Sequence, residues 1–407
     1  MCPSQYSTPF SANPSVRLSG AVLWNVAEKM DPSWWGVLKH VCRDTNAAVH
    51  KLERRLKKRS VIPMKDICRS VELLGWARQQ GCPWDERTAY FVAMYGDLPV
   101  LQWAKAHGCP WDSDVCMAAA RRGWPEMLHW AHASGCPWDE DTCEAAAFGG
   151  HLHVLQWARA MGCPWDERTC SAAAGGGHLH ILQWARAMGC PWEERTCARA
   201  AAAGHLEVLQ WARAHGCPWD KWTCAQAAAS GHIEVVAWAR QQGCHWDQHT
   251  CAGAAEGGHL FALRWIRSQG CPWSEETCRA AAEGGSLETL QWARSEGCPW
   301  DSRTCTGAAA RGHLGILQWA LSMGCPWDEG TCEAAAAGGH LHVLQWARGQ
   351  GCKWDEETCR EAAEAGHLEC LQWARGNGCP WDKSLCIECA YQNGHLHVCQ
   401  WAVVQEP

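Results

Sequence analysis

The chain has 407 residues, and 36 Lys and Arg stand against 43 Asp and Glu, a formal net charge of −7 that gives no reason to expect nucleic acid as the ligand. Its 29 cysteines would fit a secreted disulfide scaffold, yet the opening MCPSQYSTPFSANPSVRLSG has no apolar core of a signal peptide. No run of about 18 apolar residues occurs, so no membrane span is expected, and free thiols in a cytoplasmic or nuclear, reducing setting are the expectation.

Residues 1–16 are rich in Ser and Pro and are expected to be disordered. Residues 17–60 change character. Val22, Leu23, Val26 and Met30 are spaced as on a helix, as are Leu38, Val41, Cys42 and Val49 beyond a break at Asp31-Pro32. This predicts a small helical module. The stretch LKHVCRDTNAAV, after a short helix and a DP turn, resembles an F-box, although the usual opening Leu-Pro is replaced near Ser19-Gly20. The resemblance implies that residues 17–50 dock on the adaptor of a cullin ubiquitin ligase. A plain helical cap on the following array is the other reading. In KLERRLKKR, residues 51–59, six of nine are basic, which fits a solvated helix face or linker as well as a nuclear-import signal.

From residue 61 to 407 one phrase recurs. HLHVLQWARAMGCPWDERTC, His151 to Cys170, is restated so regularly that its second tryptophan falls every 27 residues from Trp84 to Trp381. A period of this size marks a repeat array whose units cannot close a core alone and must bury their apolar faces on one another. In the unit Trp165 to Pro191, Asp166 is placed to cap helix A, with Glu167 in its first turn. Cys170, Ala173 and Ala174 form a narrow stripe on that helix, so neighbouring helices must approach closely. Gly175 to Gly177 end helix A. Helix B starts at His178, carries Leu179, Ile181, Leu182, Trp184 and Ala185, and stops at Gly189, where all twelve copies have Gly, as a left-handed C′ residue requires. Two helices and two turns use all 27 residues. The expected fold is therefore an all-α solenoid of about twelve helix pairs, with atypical end units such as the one bearing Tyr90, Phe91 and Met94.

The segment Gly204-His205-Leu206-Glu207-Val208-Leu209, running on to Gly216, resembles the second helix of an ankyrin repeat. Thr169 with Ala173 and Ala174 resembles the ankyrin TPLHxAA segment. The likeness spans roughly residues 61–404, with Cys in place of Pro after Thr, Trp in place of a helix B leucine, and six residues fewer where ankyrin repeats build their β-hairpin finger. It implies protein binding through helix A on a concave face, without fingertip contacts.

Four recurring side chains could carry chemistry. Cys163 and Cys170 stand seven positions apart, and the pair recurs in eleven of twelve units. Structural zinc sites favour closer cysteine spacing, and Ala89 replaces one copy, so buried packing thiols are the reading, with a metal- or redox-responsive array as the alternative. The histidines from His151 to His395 give way to Asp97 and Ser286, which are capping residues, so a capping or turn-bridging role is expected. The arginines from Arg159 to Arg375 sit where a cation complements the end of helix B. The tryptophans after Cys-Pro, such as Trp165, are read as wedges buried between units. No nucleophile–base pair, phosphate loop or paired carboxylates stand outside the repeat, so neither an enzyme nor a cofactor is expected. Specificity is expected where units differ on helix A: Trp222 above all, then Lys221, Gln226, His249, Arg199, Phe148, Arg121 and Arg122. The expected function is a non-enzymatic protein-interaction scaffold, with the ligase subunit as its more specific form.

Overall fold

The computed structural model describes residues 64–405, apart from 80 and 83. The expectations for residues 1–16, the F-box-like module and the basic run 51–59 lie outside them. The chain divides into two compact units at Trp138/Asp139.

Both are all-α stacks of helix pairs, the α-solenoid class, with no strand among the described residues. In the first unit a short pair, Met64–Ile67 and Val71–Gln79, precedes the full pairs Glu86–Tyr95 with Leu98–Ala106 and Ser113–Arg122 with Pro125–Ala133. The second begins with helix A at Glu140–Phe148 and ends with helix B at Leu396–Val403. The extra residue of the last copy is absorbed by a longer helix A, Lys383–Gln392.

Local chemistry sets the boundaries. The side chain of Asp166 accepts a hydrogen bond from Arg168 N at 3.0 Å, and Asp139, Asp220, Asp247, Ser274 and Asp355 repeat this cap. After helix B, Gly189 has φ +83°, and the other copies of this position, from Gly81 to Gly378, are likewise left-handed. Cys170, Ala173 and Ala174 are fully buried. Within the second unit each helix A packs on the next along this small-residue stripe, and the A helices lie closer together than the B helices. The approach is near backbone contact: a Cβ on Gly253 would stand 2.7 Å from the carbonyl of Ala225.

Helix B is held by a different device. Trp165 meets Trp184 edge-on at 5.8 Å, and the guanidinium of Arg159, from the preceding helix B, lies 4.2 Å above Trp165. Arg159 Nη1 also donates to the carbonyl of Cys163. These tryptophans contact one another as wedges would, but their burial is partial: Trp165 and Trp184 are half-buried, and the Arg159 guanidinium lies over the Trp165 ring.

The thiols are placed otherwise than their sequence spacing implies. Cys163 Sγ donates to the carbonyl of the cap residue Asp139 at 3.4 Å, and the same bond recurs from Cys190 to Asp166, Cys244 to Asp220 and Cys352 to Asp328. Each such thiol is the neighbour of the helix A cysteine twenty residues earlier, as with Cys170 and Cys190, and not of the one seven residues later. Hydrogen bonding to Cys190 together with burial pushes the Cys170 thiol well above the ordinary range. All described cysteines are free, and most are buried.

His178, His313 and His340 bridge to the preceding unit and do not cap. Among the described residues no histidine at the start of helix B makes a side-chain cap, and of the substitutes Asp97 caps Val100 N at 3.1 Å while Ser286 bonds Thr289 instead. His178 places its Nε2 3.1 Å from the carbonyl of Phe148, at the C-terminal end of the preceding helix A. Its ring fills the space over Gly150, where a Cβ would come within 2.6 Å of it.

Candidate binding cleft on helix A

With both packing faces occupied, helix A offers one outward stripe. On Lys221–Ala229 the residues Thr223, Cys224, Ala225, Ala227 and Ala228 are buried, which leaves Trp222 and Gln226, one turn apart, facing out. Trp222 is 45% exposed, a large indole in a position that holds Arg168, Arg195, Glu276 or Arg303 in other units.

Beside it opens a cleft of about 480 Å³ between helix A at Glu194–Ala202 and helix A at Lys221–Ala229. Arg195 and Arg199 form one wall, Trp222 and Gln226 the other. Ala198 and Ala202 lie between them, and Glu193, Glu194 and Asp220 complete the lining. On the far side of Trp222 the His249 ring stands 5.1 Å away and Lys221 Nζ lies 5.6 Å from the indole centroid. Lys221 bonds Asp247 Oδ2 at 2.8 Å, and His249 Nδ1 is 3.0 Å from Asp247 Oδ1. Burial alone would raise Asp247, but Lys221 and His249 override it and hold the carboxyl below the usual range. These contacts fix one side of Trp222 and leave the other open to the cleft.

Of the eight residues singled out by their departure from the repeat, Trp222, Gln226 and Arg199 share this cleft, and Lys221 and His249 buttress it. Phe148 ends helix A at Glu140–Phe148 and is 41% exposed, outside the cleft, although Arg199 reaches Glu144 of that helix at 3.5 Å. Arg121 and Arg122 end helix A at Ser113–Arg122 in the first unit, where Arg122 lies 5.0 Å over Trp124. Sequence reasoning missed Arg195 and Glu193. The signal was present in Glu193, which replaces the capping Asp and makes no side-chain cap.

The rest of the outward stripe is dominated by closed ion pairs. Arg279 is held by Glu276 and Glu283, both at 2.7 Å, and Arg360 by Glu357, Glu361 and Glu364. Near the acidic end, burial and then Asp355 and Glu357 raise the carboxyl of Glu333. Among the described residues no three or more His, Cys, Asp or Glu side chains converge so as to hold a metal ion, and no helix is long and apolar enough to cross a membrane.

No protein family matches the chain, and neither does any curated protein. Solved structures with a similar course include the human ASB11 ankyrin repeat domain, 14% identical over 39% of this chain and 84% of that one, at a TM-score of 0.31. The pentatricopeptide repeat protein PPR10 from maize is 15% identical over 93% of this chain and 67% of its own, at a TM-score of 0.32.

Proposed function

We propose that this protein is a non-enzymatic scaffold that binds other proteins through the outward stripe of helix A. One observation carries the reading. Residues repeated from unit to unit are spent on packing, capping and bridging, whereas the side chains that differ stand on this stripe, with an exposed Trp222 beside an open cleft. Exposed Trp and Arg around a concavity are the composition of interaction hot spots. Affinity capture on the full chain tests it, with Trp222→Ala compared against Gln183→Ala on the outside of helix B. Proteins retained by wild type and by the helix B variant, and lost with Trp222→Ala, support the reading. Identical retention by all three ends it.

The more specific form is a substrate-recognition subunit of a cullin-type ligase, with residues 17–50 engaging the adaptor. Its support is the F-box resemblance alone. A full chain that fails to bind purified adaptor ends this form and leaves the scaffold reading standing.

A further inference from the structure

The cleft beside Trp222 differs from its counterparts, and the difference starts at one residue. At Asp166 and Asp301 the capping carboxylate turns back onto the arginine two positions later, reaching the Nε of Arg168 and of Arg303 at 2.8 Å. Position 193 holds Glu instead, which makes no cap, and no carboxylate pairs with Arg195 among the described residues. The other partner of these arginines is the carboxylate one unit earlier: Asp141 for Arg168, Glu276 for Arg303. One unit before Arg195 that place is occupied by Arg168. Arg195 is thus exposed, next in line to another cation, and in no ion pair among the described residues, although Glu193, Glu194 and Asp220 line the same cleft.

We infer that this cleft docks an extended acidic segment of a partner protein. A carboxylate of the segment pairs with Arg195, an apolar or aromatic side chain beside it lies on Trp222, and the Gln226 amide meets the segment's backbone. The inference rests on the reading of helix A as the binding face and names what that face takes. A guanidinium offers a carboxylate two parallel donors, and one that arrives unpaired has no existing ion pair to break. Ala198 and Ala202 are small enough to let a backbone lie between the walls. Glu193, Glu194 and Asp220 in the lining oppose a continuous polyanion, which favours a single carboxylate placed on Arg195 over a phosphate chain.

The test is selection of a phage-displayed library of random peptides on the immobilised full chain, with counter-selection on full chain carrying Arg195→Glu. The expected winners carry Asp or Glu next to Phe, Tyr, Trp or Leu. A synthetic winner should lose affinity roughly tenfold or more with Arg195→Glu and with Trp222→Ala, and Arg303→Glu should leave it unchanged. Arg195 and Trp222 are surface side chains, and Arg195→Gln, which removes the charge without reversing it, should give an intermediate loss. Basic winners, or winners indifferent to both residues, overturn the inference. So does labelled oligouridylate that binds through Arg195 when no peptide is enriched. Winners that depend on Arg303 or another helix A residue overturn this cleft but spare the general reading. If nothing is enriched, the cleft proposal fails, and the capture comparison decides the scaffold reading separately.

Discussion

The guanidinium of Arg159 lies 4.2 Å from the centre of the Trp165 ring, and Trp165 in turn meets Trp184 edge-on. This relay joins helix B of one unit to helix B of the next, where the helices themselves stand farther apart than the A helices do. It recurs at Arg186 over Trp192, Arg213 over Trp219 and Arg294 over Trp300, between 4.0 and 4.1 Å. The cation therefore does more than complement a helix end: it covers the exposed face of the wedge.

Between Arg159 and Arg375 one unit lacks the cation. Leu321 stands where the other units of that stretch have Arg, and the pair Trp327–Trp346 is looser, at 6.3 Å and 52°, than Trp300–Trp319 at 5.9 Å and 66°. Leu321→Arg should place a guanidinium over Trp327 and raise stability by about 0.5–1 kcal/mol, the size of a solvent-exposed cation–π contact. Arg294→Leu should lower it by a similar amount. Urea unfolding followed by tryptophan fluorescence measures both. A destabilising Leu321→Arg would show that the relay is not what joins the B helices.

The histidine bridges make the fold sensitive to mild acid. Burial lowers the pKa of His178 and of His340, which favours the neutral ring in the folded state. The unfolded chain, with histidines near 6.5, then binds more protons than the folded one as pH falls below that value. Stability is complete above about pH 6.5 and is lost progressively as pH falls below it, before the carboxylates titrate. Thermal unfolding from pH 7.5 to 5 should show a falling midpoint, and His178→Gln should reduce the slope. A flat profile across that window would refute the bridge reading.

Elements governed by one unit's own chemistry were legible in the sequence. Asp166 as cap, Gly189 as left-handed stop and the Cys170–Ala173–Ala174 stripe all follow from positions within a single helix or turn. Contacts set by how units stack were not. Cys163 and Cys170 are close in sequence, yet Cys170 meets Cys190, and His178 finds its carbonyl thirty residues back, because stacking register decides both. The cleft divides the same way. Trp222 and Gln226 depart visibly from the repeat, whereas Arg195 is one of several arginines at its position, and only the partner beside it differs.

The bridging thiols act through packing more than through their hydrogen bond. Cys244 is fully buried against Cys224, Ala239 and three tryptophans, and its Sγ donates to the Asp220 carbonyl at 3.2 Å. That carbonyl already accepts from Thr223 N at 3.2 Å, so losing the thiol leaves no orphaned acceptor. Cys244→Ala should cost about 1–2 kcal/mol for the vacated volume. Cys244→Ser should cost at least as much, since its shorter C–O bond strands a more polar group in the same apolar site. Denaturant titration ranks the two, and a serine better tolerated than alanine would reverse the order of the two contributions.

Two families of left-handed glycine separate backbone strain from steric conflict. Gly216, after helix B, has φ +82°, and a Cβ added there would meet nothing within 4 Å, so Gly216→Ala should cost only the left-handed penalty of about 1–2 kcal/mol. Gly204, between helices A and B, has φ +76°, and a Cβ there would lie 2.7 Å from Cε1 of His232. Gly204→Ala must therefore also displace the ring that the next unit packs over it, and it should be the more damaging change. Adding His232→Ala to Gly204→Ala should recover part of that excess, because the methyl then has room, while the same addition to Gly216→Ala should be simply additive. Gly258 supplies an internal control: it faces Ser286, at 3.4 Å, and its alanine variant should behave as Gly216→Ala does. Midpoints from a double-mutant cycle settle the ranking, and equal costs at Gly204 and Gly216 would mean that the histidine ring yields without loss and does not hold adjacent units in register.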